Sequence, residues 1–330
     1  MSKKKENTDD TLDIVINQIN KQYGVGSLMF MDDDPIKDLD VISTGSLNLN
    51  ATLGVGGLPK GRIIELYGKE SSAKTTVSLH VIANAQKNGD LAAFIDVEHA
   101  LRRSYAEIIG VNSEKLLISQ PSTGEEALDI VEQLVTSDSF GVIVVDSVAA
   151  LMPESVKERK IGEFGVGELA RLMSQSMNKL VAKVSEANVC LIFINQIRAN
   201  IATFGFGSPE TTPGGNALKF YSSIRIRLSK STVIKEGEKA IGTMIRAKIE
   251  KNKVAPPYKV CEFPLIFDYG ISMIDEVIDV GVANDIIIRK GPYYVIQEEK
   301  LQGKKALREY LSLNEKIVQY ILTEKDKIQL

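Results

Sequence analysis

Apolar residues recur along this chain in short, near-continuous runs, with helix-favouring polar stretches between them. Arg62 to Tyr67, Leu91 to Asp96, Leu116 to Ser119, Gly141 to Ser147 and Val189 to Ile194 each read as a strand covered on both faces. Helical patterns fill the gaps at Thr75 to Lys87, at 124–136 and from Glu168 to Ala187. Strand and helix in alternation predict an α/β fold, a central, largely parallel twisted sheet with helices on both faces. Ligands of such sheets bind at the carboxyl ends of the strands.

The pattern changes at both ends. Leu12, Val15, Ile16, Ile19 and Tyr23 form an apolar stripe at helical spacing, with Thr8, Asp9 and Asp10 as cap candidates. One short helix cannot bury that stripe, so it packs on its own core or on another subunit. Asp32-Asp33-Asp34-Pro35 reads as a solvated linker. Phe220 to Leu228, Thr243 to Ile249 and Tyr258 to Phe263 alternate, as added and partly antiparallel strands do. From about residue 271 a small α/β piece follows: a helix to about Ala283, strands at Asp285–Arg289 and Tyr293–Gln297, then two helices. The expected domains are an N-terminal helix and linker (1–35), a core (36–270) and a small C-terminal domain (271–330).

Composition narrows the function. With 44% hydrophobic and 25% charged residues the chain is globular, and a net charge of −3 gives no global basic field. Nucleic-acid binding must therefore come from a local patch. The basic start, Met1 to Asn7, has no apolar region behind it, and no apolar run nears the ~20 residues of a membrane span. Cys190 and Cys261 lie in strand-like runs and read as reduced thiols of a cytoplasmic protein. With only His80 and His99 present, a histidine-rich metal site is excluded.

The densest chemistry is Gly68-Lys69-Glu70-Ser71-Ser72-Ala73-Lys74-Thr75-Thr76, between the first core strand and a helix. This is the layout of a phosphate-binding loop (P-loop): backbone N–H groups wrap phosphates, the lysine adds charge and Thr75 can ligate Mg²⁺. Ala73 stands where the pattern has its second glycine, and the segment could also be an ordinary strand-to-helix turn. If φ there is positive, alanine costs about 1–2 kcal/mol, and Ala73→Gly should tighten nucleotide binding or raise turnover. If φ is negative and the methyl points away, glycine should only loosen the loop.

Other candidates sit just after apolar strands. Asp146 suits Mg²⁺ opposite Thr75, or a helix N-cap. Glu98 is placed to deprotonate a water, or is a solvated loop carboxylate. Asn195-Gln196 can sense a γ-phosphate. Two glycine-rich loops, 153–167 and 197–216, mix basic and apolar residues as a nucleic-acid groove would, or form an active-site lid.

Ile42 to Leu47, Gly56 to Arg62, Phe94 to Leu101, Val144 to Leu151, Phe193 to Arg198 and Gly214 to Phe220 together resemble the bacterial RecA recombinase family, from about residue 11 into the C-terminal region. The resemblance implies a P-loop ATPase core that uses ATP and Mg²⁺. It implies filaments on single-stranded DNA that pair it with homologous duplex, and self-cleavage assistance to an SOS-type repressor. Residues 68–76 would hold the phosphates, and Tyr105 would stack on the adenine. Glu98 would activate water, and Gln196 would couple the γ-phosphate to the second DNA loop. Lys251 and Lys253 would reach the ATP of a neighbouring subunit. Val166 and Ile201 would insert between bases, while Arg171, Arg198, Gly214 and Gly215 would meet the DNA backbone. The N-terminal helix would dock head to tail on the next protomer.

The departures from the family pattern are Ala73, Arg102-Arg103 in place of Asp-Pro, Asn178 in place of an arginine, Asn50 in place of an aspartate, and a C-terminus without an acidic tail. Ala73 and Arg102 keep open a DNA-binding filament protein with impaired hydrolysis, and the same core fold could serve a hexameric helicase-like ATPase, which would need neither the two glycine-rich loops nor the N-terminal docking helix.

Overall fold

The computed structural model describes residues 3–24, 27–28, 39–160, 167–199 and 210–328. The chain falls into two compact units, Met1–Leu39 and Asp40–Leu330. In the first, α1 (Lys3–Tyr23) leaves Leu12, Ile14 and Val15 exposed, so its apolar stripe stays open within the unit.

The second unit opens with β1 (Val41–Ile42), α2 (Leu47–Leu53) and β2 (Leu58–Pro59). Then come β3 (Arg62–Gly68), α3 (Lys74–Lys87), β4 (Leu91–Asp96), α4 (Arg103–Ile109), β5 (Leu116–Ser119), α5 (Gly124–Thr136) and β6 (Phe140–Asp146). After α6 (Glu154–Lys157) and α7 (Glu168–Glu186), β7 (Cys190–Gln196) completes the parallel set. Short β8 (Arg198–Ala199) pairs with β9 (Glu210–Thr211), and α8 (Ala217–Tyr221) leads into a long hairpin. That hairpin is β10 (Ile224–Glu236) and β11 (Lys239–Asn252), followed by β12 (Val260–Ile266) and β13 (Gly270–Ile271).

Among the described residues one nine-stranded sheet has the order β13-β12-β11-β10-β3-β7-β6-β4-β5. It is parallel from β10 through β5 and antiparallel beyond β10. The all-apolar run of β6 and that of β7 fit their central, two-side-covered places. Two clusters of buried side chains cover the sheet. Val77, Leu79 and Ile82 of α3 belong to one, and Met173, Met177 and Leu180 of α7 to the other.

α9 (Met273–Ala283), the sheet β14 (Ile288–Lys290), β15 (Tyr293–Ile296) and β16 (Glu299–Gln302), α10 (Gly303–Leu313) and α11 (Glu315–Ile328) close the chain. They gather around Val277, Ile278, Leu307, Leu311 and Ile321. Three expectations need correction. Leu116 to Ser119 is an edge strand with Leu117 and Ile118 half in solvent, because among the described residues no strand pairs beyond β5. The strand expected at Asp285–Arg289 begins only at Ile288, since Asp285 has φ +56 in the turn after α9. A third C-terminal strand, β16, was not foreseen.

Candidate nucleotide and nucleic-acid site

The carboxyl ends of β3, β4, β6 and β7 lie side by side, and the candidate residues collect there. β3 ends at Gly68, whose missing side chain has a cause. A Cβ there would stand 2.2 Å from the Leu228 carbonyl oxygen and 2.5 Å from Ser72 Oγ. The loop then turns through Ser71 (φ +55) and Ala73 (φ +71) into α3. Ala73 thus carries the positive φ that glycine adopts freely, while its methyl packs into the core. The two alternatives posed by the sequence are each half realised.

Lys74 is buried, and its ammonium donates to the carbonyls of Gly68 (3.3 Å) and Lys69 (2.8 Å). Burial pushes its pKa down, against the pull of Asp146, Glu98 and Glu70. Ser72 Oγ is buried and has no hydrogen-bond partner among the described residues. A buried cation and an orphaned hydroxyl beside the start of a 14-residue helix fit a polyphosphate. Thr75 Oγ1 donates to Asp146 Oδ2 at 2.7 Å, and burial pushes the Asp146 carboxyl up to about 6. Hydroxyl and carboxylate oxygens are the hard donors Mg²⁺ takes. Among the described residues no group of three or more His, Cys, Asp or Glu could hold a metal.

Glu98 follows β4. Its Oε1 accepts from Gln196 Nε2 at 2.8 Å and, closely, from the Ser147 hydroxyl. Sequence reasoning did not single out Ser147, although it directly follows the apolar run of β6. Asp96, also passed over, is buried and caps the turn after β4, accepting from the N–H groups of Ala100 (3.1 Å) and Leu101 (3.3 Å). On β7, Asn195 Nδ2 donates to buried Glu65 and to the Pro213 carbonyl, both at 3.0 Å. Gln196 therefore touches Glu98, and its neighbour touches the chain entering Gly214 and Gly215. Tyr105 OH lies 3.1 Å from Thr76 Oγ1. Lys69 and Glu70 are exposed.

Arg171 and Arg198 are exposed, and Gly215 (φ +70) is exposed beside buried Gly214 (φ +85). A Cβ on Gly215 would meet the Ala170 methyl at 2.7 Å, so glycine lets this turn lie on α7. Val166 and Ile201 lie outside the described residues. Lys253 is exposed. Lys251 donates to the carbonyls of Lys219 and Phe220, both at 2.8 Å, and burial, then Lys253, lowers its pKa to about 8. Asn178 accepts from the Tyr221 hydroxyl. Asn50 uses both halves of its amide, accepting from Thr44 N (2.9 Å) and donating to Ser43 Oγ (2.9 Å).

Family models agree with this arrangement: "RecA N-terminal domain" matches residues 10–272 and "RecA C-terminal domain" residues 275–327. The chain is 50% identical over 314 residues to Protein RecA of Legionella pneumophila, covering 94% of this chain and 90% of that one. It is 50% identical over 318 residues to Protein RecA of Allochromatium vinosum, covering 96% and 91%. A crystal structure of the RadB recombinase shares the fold, with a TM-score of 0.52 at 23% identity over 70% of this chain and 98% of that one. Among the described residues no helix is long and apolar enough to cross a membrane. Two family models end to end, and half-identity over nine-tenths of each chain, mean that the chain belongs to the RecA family of DNA-dependent ATPases and recombinases.

Proposed function

We propose that this chain forms ATP-bound helical filaments on single-stranded DNA and uses them to pair and exchange strands with homologous duplex. The observation that carries the reading is the pair of contacts Thr75–Asp146 and Glu98–Gln196, 2.7 and 2.8 Å, beside one phosphate loop. The backbone N–H groups of residues 68–76 bind the phosphates of ATP, and Lys74 trades two loop carbonyls for phosphate oxygens. Thr75 and Asp146 hold Mg²⁺, which neutralises phosphate charge when bound. Glu98 accepts the proton of the attacking water. Ser147 keeps that carboxylate in place when Gln196 leaves it for the γ-phosphate. Movement of β7 then reaches Gly214 and Gly215 through Asn195 and Pro213. Tyr105 supports the base.

Arg171, Arg198, Gly214 and Gly215 face the DNA backbone, with Val166 and Ile201 between bases. Lys251 and Lys253 serve the ATP of the next subunit, on which the N-terminal helix docks, residues 1–35 being that helix and its linker. Residues 36–270 act as the core and 271–330 as a small domain. Two free thiols, Cys190 and Cys261, suit a cytoplasmic protein. Assistance to an SOS-type repressor rests on family membership alone.

ATP turnover with and without single-stranded DNA, with electron micrographs of the same samples, tests the reading. DNA-stimulated turnover with helical filaments is expected. Closed rings, or filaments without turnover, would favour the helicase-like or the impaired-hydrolysis reading.

A further inference from the structure

The turn between β4 and α4 presents two arginines beside Tyr105. Arg103 pairs with Glu107 at 2.8 Å on its own helix. Arg102 is exposed, and its guanidinium carbon stands 5.6 Å from the centroid of the Tyr105 ring. The Tyr105 hydroxyl lies 3.1 Å from Thr76 Oγ1 in the first turn of α3, so the ring stands beside the end of the phosphate loop. Asp96 fixes the turn from behind through Ala100 N, Leu101 N and Gln120 Nε2, the last at 3.0 Å. Arg102 therefore leaves a braced backbone.

The guanidinium lies over the face of that ring, so a base laid on this face displaces it towards the base's own edge, where its N–H donors stay within reach. Arginine offers five N–H donors and no acceptor. Guanine presents two adjacent acceptors, O6 and N7, which match the arginine fork. Adenine presents an acceptor beside an amine, and the amine can only donate. We propose that Arg102 selects for an oxo-purine, so that this site takes guanosine triphosphate as well as adenosine triphosphate. The inference rests on the nucleotide-site reading above and adds the identity of the base.

Calorimetric titration of the full-length protein with non-hydrolysable ATP and GTP analogues in Mg²⁺ gives a GTP-to-ATP affinity ratio for each variant. That ratio is internally controlled for misfolded protein. It is expected to fall on the order of tenfold from wild type to Arg102→Asp, with Arg102→Ala between them. A ratio unchanged within about twofold across these variants, while Lys74→Ala abolishes binding of both analogues, would overturn the base reading and leave the site reading intact. Undiminished binding by Lys74→Ala would overturn the site reading and this inference with it.

Discussion

Ala73 combines a positive φ of +71 with a buried methyl group, and the two effects oppose each other. Relief of the left-handed conformation by glycine is worth about 1–2 kcal/mol. Loss of a buried methyl costs ~0.8 kcal/mol, and extra freedom of the unfolded chain costs ~0.4–1 kcal/mol. The terms nearly cancel, and none of them places a methyl against a phosphate. Ala73→Gly should therefore change nucleotide affinity and turnover by less than about fivefold. A larger effect in either assay would contradict this account. Glu98 is the opposite case, since its carboxylate is the base in the proposed mechanism. Glu98→Gln keeps the shape that meets Ser147 and Gln196 and removes the base, so turnover should fall on the order of 100-fold or more with ATP and DNA binding retained. Turnover close to wild type would remove Glu98 from the mechanism.

The β10–β11 hairpin sets how far Lys251 stands from the phosphate loop of its own chain. Lys251 is paired with Arg225, and Arg225 with Glu65, three residues before Gly68. Lys251 thus sits two strands across, roughly 10 Å, and roughly 10 Å back from the start of its own phosphate loop. Mixed filaments of Lys74→Ala subunits with Lys251→Ala/Lys253→Ala subunits should recover part of the ATPase that each lacks alone. No recovery at any mixing ratio, with co-assembly confirmed, would rule out sharing across the interface. A second element carries a pH dependence. Glu276 of α9 is buried at the start of α2, accepting from Ser46 Oγ (2.8 Å), Leu47 N (2.8 Å) and Asn48 N (3.4 Å). Burial outweighs these hydrogen bonds and pushes it from 4.5 up to about 7. A carboxyl with a raised folded pKa contributes stability that is full below its unfolded pKa and lost as pH rises through the folded one, here on the order of 3 kcal/mol at most. The thermal midpoint of wild type should fall relative to Glu276→Gln as pH rises from 5 to 8, whereas parallel curves would contradict the assignment. The sequence made the parallel strands plain because β3, β6 and β7 are apolar on both faces. It concealed β16, whose Glu299-Lys300-Leu301-Gln302 is a polar edge, and the short α2 and α4. Their signals were nonetheless present: Ser46 caps α2, and Gly54 and Gly110 end α2 and α4 in the left-handed conformation.

Over the whole molecule, what the sequence revealed of the site was residue identity, and what it hid was contact. Thr75 with Asp146 and Glu98 with Gln196 are separated by 71 and 98 residues, and only a shared sheet edge brings them together. Ser147 and Asp96 escaped notice because a serine or aspartate after a strand is common, and its partner lies on another strand. The open stripe of α1 leaves apolar residues for a second copy of the chain to cover, as the proposed head-to-tail filament would. The central claim is that this filament exchanges DNA strands. The direct measurement incubates single-stranded DNA with homologous duplex, ATP and Mg²⁺, and follows release of the displaced strand. Wild type should release it only when the duplex is homologous and ATP is present, and Lys74→Ala should release none. Strand release from a heterologous duplex at the same rate, or none from a homologous one while ATP is consumed, would contradict the account.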